Sequence, residues 1–266
     1  MSRKGSAPEI RVFGSGREVA CEAAALLAAM LRRRLATTLV LASGKTMMPV
    51  YRELVRLHRA GRAPFRRADA FVLDELAVPA GDPRSFRSFM DDRLFSRVDI
   101  DPRRIHALRG DAPDPERECA RFERELRRAG PADLAIAGIG RNGHVAYLEP
   151  GASLAPRTSV VRLSDATRRS LRDDGMRPVP REALTMGIET ILAARRILLV
   201  ATGRAKARAL ASALEGKVGA RCPASYLSLH PALTVLADGA AARGLDRLTS
   251  AREVSPISRR APRSRR

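Results

Sequence analysis

Four short stretches place reactive side chains where an apolar run ends and the chain turns. Ser43-Gly44-Lys45-Thr46 offers two hydroxyls, one ammonium and the backbone amides of a helix start, a set that suits a phosphate. It is not a P-loop, which needs two glycines at fixed spacing ahead of its lysine, and an ordinary strand-to-helix turn with a Ser/Thr cap uses the same residues. Asp74 and Glu75 end the run FVLDEL. Neighbouring side chains on a strand point to opposite sides, so at most one of these carboxylates faces a given cleft. That one is either a general base, its pKa raised by apolar surroundings, or a helix cap. In AGIGRNGHVAYLEPG, Gly138, Gly140 and Gly143 flank a sharp exit, His144 follows at once, and Glu149 comes next as a nearby carboxylate. An imidazole beside a carboxylate at such a turn can carry protons, although a lone histidine is more often structural. This is no dinucleotide fingerprint, because no helix with a ribose-binding acid about 20 residues on follows it. Finally, Gly203, Arg204 and Lys206 open a further helix, where basic residues oppose the helix dipole and an anionic partner offsets that cost. Lys206 makes a second phosphate clamp if its strand neighbours the first.

Positioning those turns is the task of the elements between them. TTLVLAS at 37–43, DAFVLDE at 69–75, DLAIAGIG at 133–140, ILLVATG at 197–203 and ALTVLAD at 232–238 read as buried strands, and RTSVVRLS at 157–164 as an edge strand. Helical patterns fill 17–33, 48–61, 83–98, 115–130, 180–196 and 205–216. The alternation predicts a three-layer α/β/α sandwich around a mostly parallel, Rossmann-like central sheet, as one domain over residues 1–245. In such sheets ligands bind beyond the carboxyl ends of the strands. The Pro/Ser/Arg-rich stretch 246–266 reads as a basic, disordered tail.

The 266 residues carry a net charge of +20, yet only four of the 49 basic residues are lysines (Lys4, Lys45, Lys206 and Lys217). That skew is what a GC-rich coding bias produces, and the arginines are scattered. With no Trp and 4% aromatics, no run interleaves rings and cations as a single-strand platform does, so no specific nucleic-acid partner is expected. A positive surface that attracts anionic ligands is the milder consequence. No stretch approaches the roughly 18–20 apolar residues of a membrane helix, and no signal-peptide core follows the basic start. Cys21, Cys119 and Cys222 fit neither a disulfide framework nor a metal site, which leaves a reducing cytoplasm as the expected location.

Taken in order, LASGKT, VLDEL, DPRSFRSFMDDRLFSRVDI, AGIGRNGHVAYLEPGASLAPRT, VPREALTMGIETIL, ATGRAKARALASALEG and YLSLHPALTVLAD resemble the glucosamine-6-phosphate deaminase family, which shares its fold with 6-phosphogluconolactonases. The likeness covers about residues 10–240, and SFRSFM and AYLEP look closer to the deaminase branch. It implies a phosphosugar-processing enzyme, classed with hydrolases, that works without cofactor or metal. Its reaction is an aldose–ketose isomerisation coupled to loss of ammonia. In that reading Asp74 moves a proton between C2 and C1, His144 serves ring opening held by Glu149, and Ser43, Gly44, Lys45, Thr46 and Lys206 cradle the phosphate together with Arg172. The family pattern has an acid at position 142, where this chain has Asn142; asparagine keeps a hydrogen bond but loses the charge, and impaired turnover is one expectation. Lys45 stands for a usually small residue and Leu76 for a usual tyrosine. Two other functions stay open beside the deaminase: hydrolysis of a sugar-phosphate lactone, and binding of a phosphosugar without turnover. Family members are monomers or closed oligomers, so a homo-oligomer stays open too.

Overall fold

A computed structural model describes residues 7–33, 36–151 and 155–245, together with the backbone of Arg252 and Glu253. The amino-terminal half runs β1 (Glu9–Phe13), α1 (Gly16–Arg33), β2 (Thr37–Leu41), α2 (Met48–Arg59), β3 (Ala68–Val72), β4 (Asp74–Leu76), α3 (Phe86–Arg93), β5 (Ile105–His106) and α4 (Pro115–Ala129). It continues through β6 (Leu134–Gly138), β7 (Ser159–Arg162), α5 (Asp165–Asp173), β8 (Glu182–Thr185), α6 (Ile188–Leu192), β9 (Ile197–Ala201), α7 (Ala207–Leu214), β10 (Leu233–Asp238), α8 (Gly239–Ala242) and β11 (Arg252–Glu253).

Continuous apolar runs make the central strands. Every residue of β2 and β9 is buried, as a strand covered on both faces requires. α1 buries Ala20, Ala23, Ala24, Leu27, Ala28 and Leu31 on one stripe, and its alanines let it lie close to the sheet. α4 starts where Asp114 accepts the Arg117 amide (2.9 Å) and ends at Gly130.

The main sheet has the order β11-β1-β10-β9-β6-β2-β3-β5, with every pairing parallel, and helices flank it as the three-layer architecture predicts. A second, antiparallel sheet has the order β4-β8-β7. The run expected as one strand at 69–75 serves both. It leaves the parallel sheet at Leu73, whose amide donates to the Leu41 carbonyl (3.0 Å), and pairs from Asp74 onward with β8.

The helix expected over 180–196 is not formed as such. Glu182–Thr185 is strand β8, held between β4 and β7, and only Ile188–Leu192 is helical. The Ala/Leu/Glu composition favours helix locally, but pairing on both sides overrides that weak preference. β7 takes an edge as expected, though of the second sheet. Of the stretch 246–266, all but the Arg252–Glu253 backbone lies outside the described residues; those two pair in parallel with β1.

Candidate active site

Strand order decides which turns can meet. From β2 the chain steps outward to β3 and β5, then returns to β6 on the other side of β2 and steps outward again to β9 and β10. The reversal falls between β2 and β6, where a parallel sheet opens a crevice at its carboxyl edge. The strand before Lys206 is not the neighbour of β2 as the sequence condition required, since β6 lies between them, but β9, β6, β2 and β3 are consecutive and all four stretches with candidate chemistry lie along this one rim.

The change of sheet at Leu73 separates the two acids. Asp74 turns toward the rim and accepts a hydrogen bond from the Ser43 hydroxyl (3.2 Å). Glu75 turns the other way into the start of α3. There it accepts from the amides of Leu76, Phe86 and Arg87 (2.8, 2.8 and 2.9 Å) and from the Ser85 hydroxyl (2.8 Å). Glu75 is therefore a helix cap. Asp74 is only 6% exposed, and burial raises its carboxyl to about 7; the charge of Glu75 pushes the same way and the Ser43 hydroxyl opposes it.

Between β2 and α2, Gly44 adopts φ +105°, a conformation open to glycine, and the Met47 amide closes the turn on the Gly44 carbonyl (3.0 Å). Among the described residues the amides of Gly44, Lys45 and Thr46 meet no acceptor. The Lys45 ammonium is 69% exposed and pairs with Asp174 just past α5 (2.6 Å). The Lys206 ammonium has no such partner among the described residues. Burial lowers its pKa, the charge of Arg141 adds to that, and Asp174 opposes it. Arg172 is exposed in the last turn of α5, two residues before Asp174.

After β6, the His144 ring folds back over Gly140, where a Cβ would stand 2.4 Å from the imidazole, so no larger residue fits there. The Gly140 amide donates to the His144 carbonyl (2.8 Å) and closes the loop. Asn142 joins both partners of the expected proton path: its side-chain NH₂ donates to Glu149 Oε2 (3.2 Å), and its carbonyl oxygen accepts the His144 amide (3.2 Å). An aspartate could not make the first of these bonds while ionised. His144 Nδ1 and Glu149 Oε1 are both buried without a hydrogen-bond partner. Burial lowers the imidazole pKa; Glu149 opposes that and Lys206 adds to it.

The sequence alone did not single out Tyr147, Thr185, Arg141 or Asp174. The Tyr147 ring lies 6.5 Å from that of His144, and its amide donates to the Thr185 hydroxyl (3.1 Å), on the residue that pairs with Asp74. Tyr147 reads in sequence as one more core aromatic. Asp174 and Arg141 sit in charged loops with no signal of where they reach. The rim thus combines a carboxyl poised near neutrality, a neutral imidazole beside a carboxylate, hydroxyls, free amides and an unpaired ammonium. It can bind an anion and move protons on the molecule attached to it.

Residues 15–235 match the family described as glucosamine-6-phosphate isomerases/6-phosphogluconolactonase. The chain is 44% identical to glucosamine-6-phosphate deaminase 1 of Giardia intestinalis over 210 residues, 77% of this chain and 79% of that protein. It is 41% identical to the glucosamine-6-phosphate deaminase of Mycolicibacterium smegmatis over 236 residues, 87% and 90% of the two chains. Among solved structures, a monomeric glucosamine-6-phosphate deaminase superposes with a TM-score of 0.85 at 38% identity, covering 89% of this chain and 99% of that one. The 6-phosphogluconolactonase of Thermotoga maritima shares the fold, with a TM-score of 0.68 at 23% identity over 87% and 99%. Among the described residues no helix is long and apolar enough to cross a membrane.

Proposed function

The chain belongs to the family of glucosamine-6-phosphate isomerases and 6-phosphogluconolactonases, and on that premise we propose that it converts glucosamine 6-phosphate and water into fructose 6-phosphate and ammonia. The turn Ser43–Thr46 and Lys206 hold the phosphate, by free amides, hydroxyls and an ammonium without a carboxylate partner. Lys45 takes part by exchanging Asp174 for the phosphate, and Arg172, exposed in the last turn of α5 two residues before Asp174, joins it.

As the bond between C1 and the ring oxygen breaks, the neutral His144 imidazole takes the proton of the C1 hydroxyl and one proton passes to the ring oxygen, leaving the C1 aldehyde; Asn142 links the His144 loop to Glu149. Asp74 then takes the proton from C2, giving an enolamine, and returns it to C1, leaving an imine at C2. Water adds to that carbon and ammonia departs. Release of ammonia takes up one water, so the overall stoichiometry is hydrolytic while the steps the residues assist are proton transfers.

One observation carries this reading: a buried carboxyl held at about 7 shares a rim with an imidazole that burial keeps neutral. A carboxylic acid near pH 7 can both take and return a proton, as a C2-to-C1 shuttle requires. Purified protein given glucosamine 6-phosphate is expected to release ammonia and fructose 6-phosphate in equal amounts, and Asp74→Asn to release neither. Turnover that survives Asp74→Asn, with a 6-phosphogluconolactone as the better substrate, points to lactone hydrolysis, which needs no base at C2. Saturable binding without any product points to a phosphosugar-binding protein.

A further inference from the structure

Tyr147 carries a phenol that the fold itself does not use. The residue is 6% exposed, and its ring lies 5.9 Å from that of Phe86, nearly parallel to it at 7°. Leu76, Val78, Leu163 and Ala183 complete its apolar surroundings. The residue before it, Ala146, has φ +50°, a region that L-residues other than glycine rarely adopt, so the turn that aims Tyr147 is held against local preference. Tyr51 shows the contrasting arrangement: also buried, it spends its hydroxyl on the Ala42 carbonyl. Among the described residues the Tyr147 hydroxyl makes no hydrogen bond to the protein, and its ring lies 6.5 Å from that of His144, beside the proton-carrying groups of the rim, where a bound ligand can meet it.

The surroundings say what kind of group it meets. The phenol lies in the field of Asp74, Glu149 and Glu75, and with burial these keep it protonated, so it acts as a donor. Asp74 serves C1 and C2 of the substrate, and His144, 6.5 Å from the Tyr147 ring, serves the ring oxygen on C5. The carbons between them, C3 and C4, each carry a hydroxyl. We propose that Tyr147 donates a hydrogen bond to the C3 or C4 hydroxyl of the sugar phosphate and so selects among its epimers. This rests on the deaminase reading given above.

The test compares wild type and Tyr147→Phe on glucosamine 6-phosphate, its C4 epimer galactosamine 6-phosphate and its C3 epimer allosamine 6-phosphate. Wild type is expected to prefer the first. In Tyr147→Phe, kcat/KM for glucosamine 6-phosphate falls about tenfold, mostly through KM, as loss of one hydrogen bond to a bound hydroxyl implies. The epimer whose hydroxyl points away from the phenol loses far less, so discrimination against it shrinks by about the same factor. The epimer affected tells which hydroxyl is bound. Equal losses on all three substrates, an unchanged ratio, or a wild type blind to both epimers overturns the proposal.

A second measurement is independent of turnover: the Kd of the unreactive open-chain 2-amino-2-deoxyglucitol 6-phosphate and of its two epimers, for both proteins. If wild type binds these but releases no ammonia from glucosamine 6-phosphate, the deaminase reading fails. The epimer ratios of Kd then decide on Tyr147 alone.

Discussion

Two histidine clusters in this chain have similar ingredients and opposite outcomes. His106, on β5, stacks on Phe71 at 4.2 Å and sets Nδ1 3.1 Å from Glu125. Around it the charges are matched, Arg104 with Asp69 (2.8 Å) and Arg121 with Glu118 and Glu125 (2.5 and 2.6 Å), and His106 Nε2, which makes no hydrogen bond, still lies 3.5 Å from the Asp69 carboxylate. At the rim, His144 Nδ1 and Glu149 Oε1 are buried without partners, and burial lowers the pKa of the Lys206 ammonium beside them. These matched charges, with the His106–Glu125 contact that joins β5 to α4, leave little for a ligand to gain. At the rim an unpartnered imidazole nitrogen, an unpartnered carboxylate oxygen and, among the described residues, an ammonium without a carboxylate partner converge on one crevice, and a ligand there can complete them together. The difference marks where binding energy is available without reorganising the protein.

Breaking the contrast should cost function at one cluster and stability at the other. The largest effect belongs to Asp74→Asn, expected to lower deamination by about 10³-fold or more, while Glu125→Gln leaves kcat/KM within about twofold. Ammonia release under identical conditions checks both, and comparable losses erase the distinction between the clusters. Next, Lys206→Ala is expected to raise KM about 10- to 100-fold, as loss of a charge-assisted contact to phosphate implies. Arg104→Ala leaves KM unchanged and lowers Tm by a few degrees.

The titration of Asp74 supplies a third check. As pH rises through about 7 the carboxyl ionises and kcat/KM climbs. Stability moves the other way. The folded pKa lies above the unfolded value near 3.8, so the stabilisation is complete below that value and is lost as pH rises through about 7. Asp74→Asn therefore raises Tm more at pH 8 than at pH 5, and an equal change at both argues against a buried, proton-holding carboxyl. The smallest effect belongs to Asn142→Asp. It replaces the donor to Glu149 with a second carboxylate, raises the proton affinity of His144, and moves the acidic limb of the pH profile upward with less than a tenfold change in kcat. An unmoved limb leaves Asn142 with no electrostatic part.

Much of this was readable in advance, for reasons that differ by residue. The turns at Ser43, Asp74, His144 and Lys206 stand out because apolar strands must end and reactive groups at those ends have few structural uses. That the turns adjoin one another depends on strand order, which no local pattern encodes. Asp74 and Glu75 could be told apart only once β4 paired with β8 and α3 claimed one of them. The segment 180–196 misleads because its residues favour helix while its neighbours demand a strand. Tyr147 stayed hidden because an aromatic in an apolar run looks like packing until its hydroxyl is traced.

The placement of β6 between β9 and β2 has a consequence for synthesis on the ribosome. β2 is buried along its whole length, yet the strand that covers its inner edge begins at Leu134, nearly a hundred residues later. A growing chain exposes that bare apolar edge throughout the interval, when pairing with a neighbouring nascent copy is the hazard. Production of this protein should therefore respond to holding chaperones more than its finished stability suggests, and truncations ending before β6 should accumulate as aggregates.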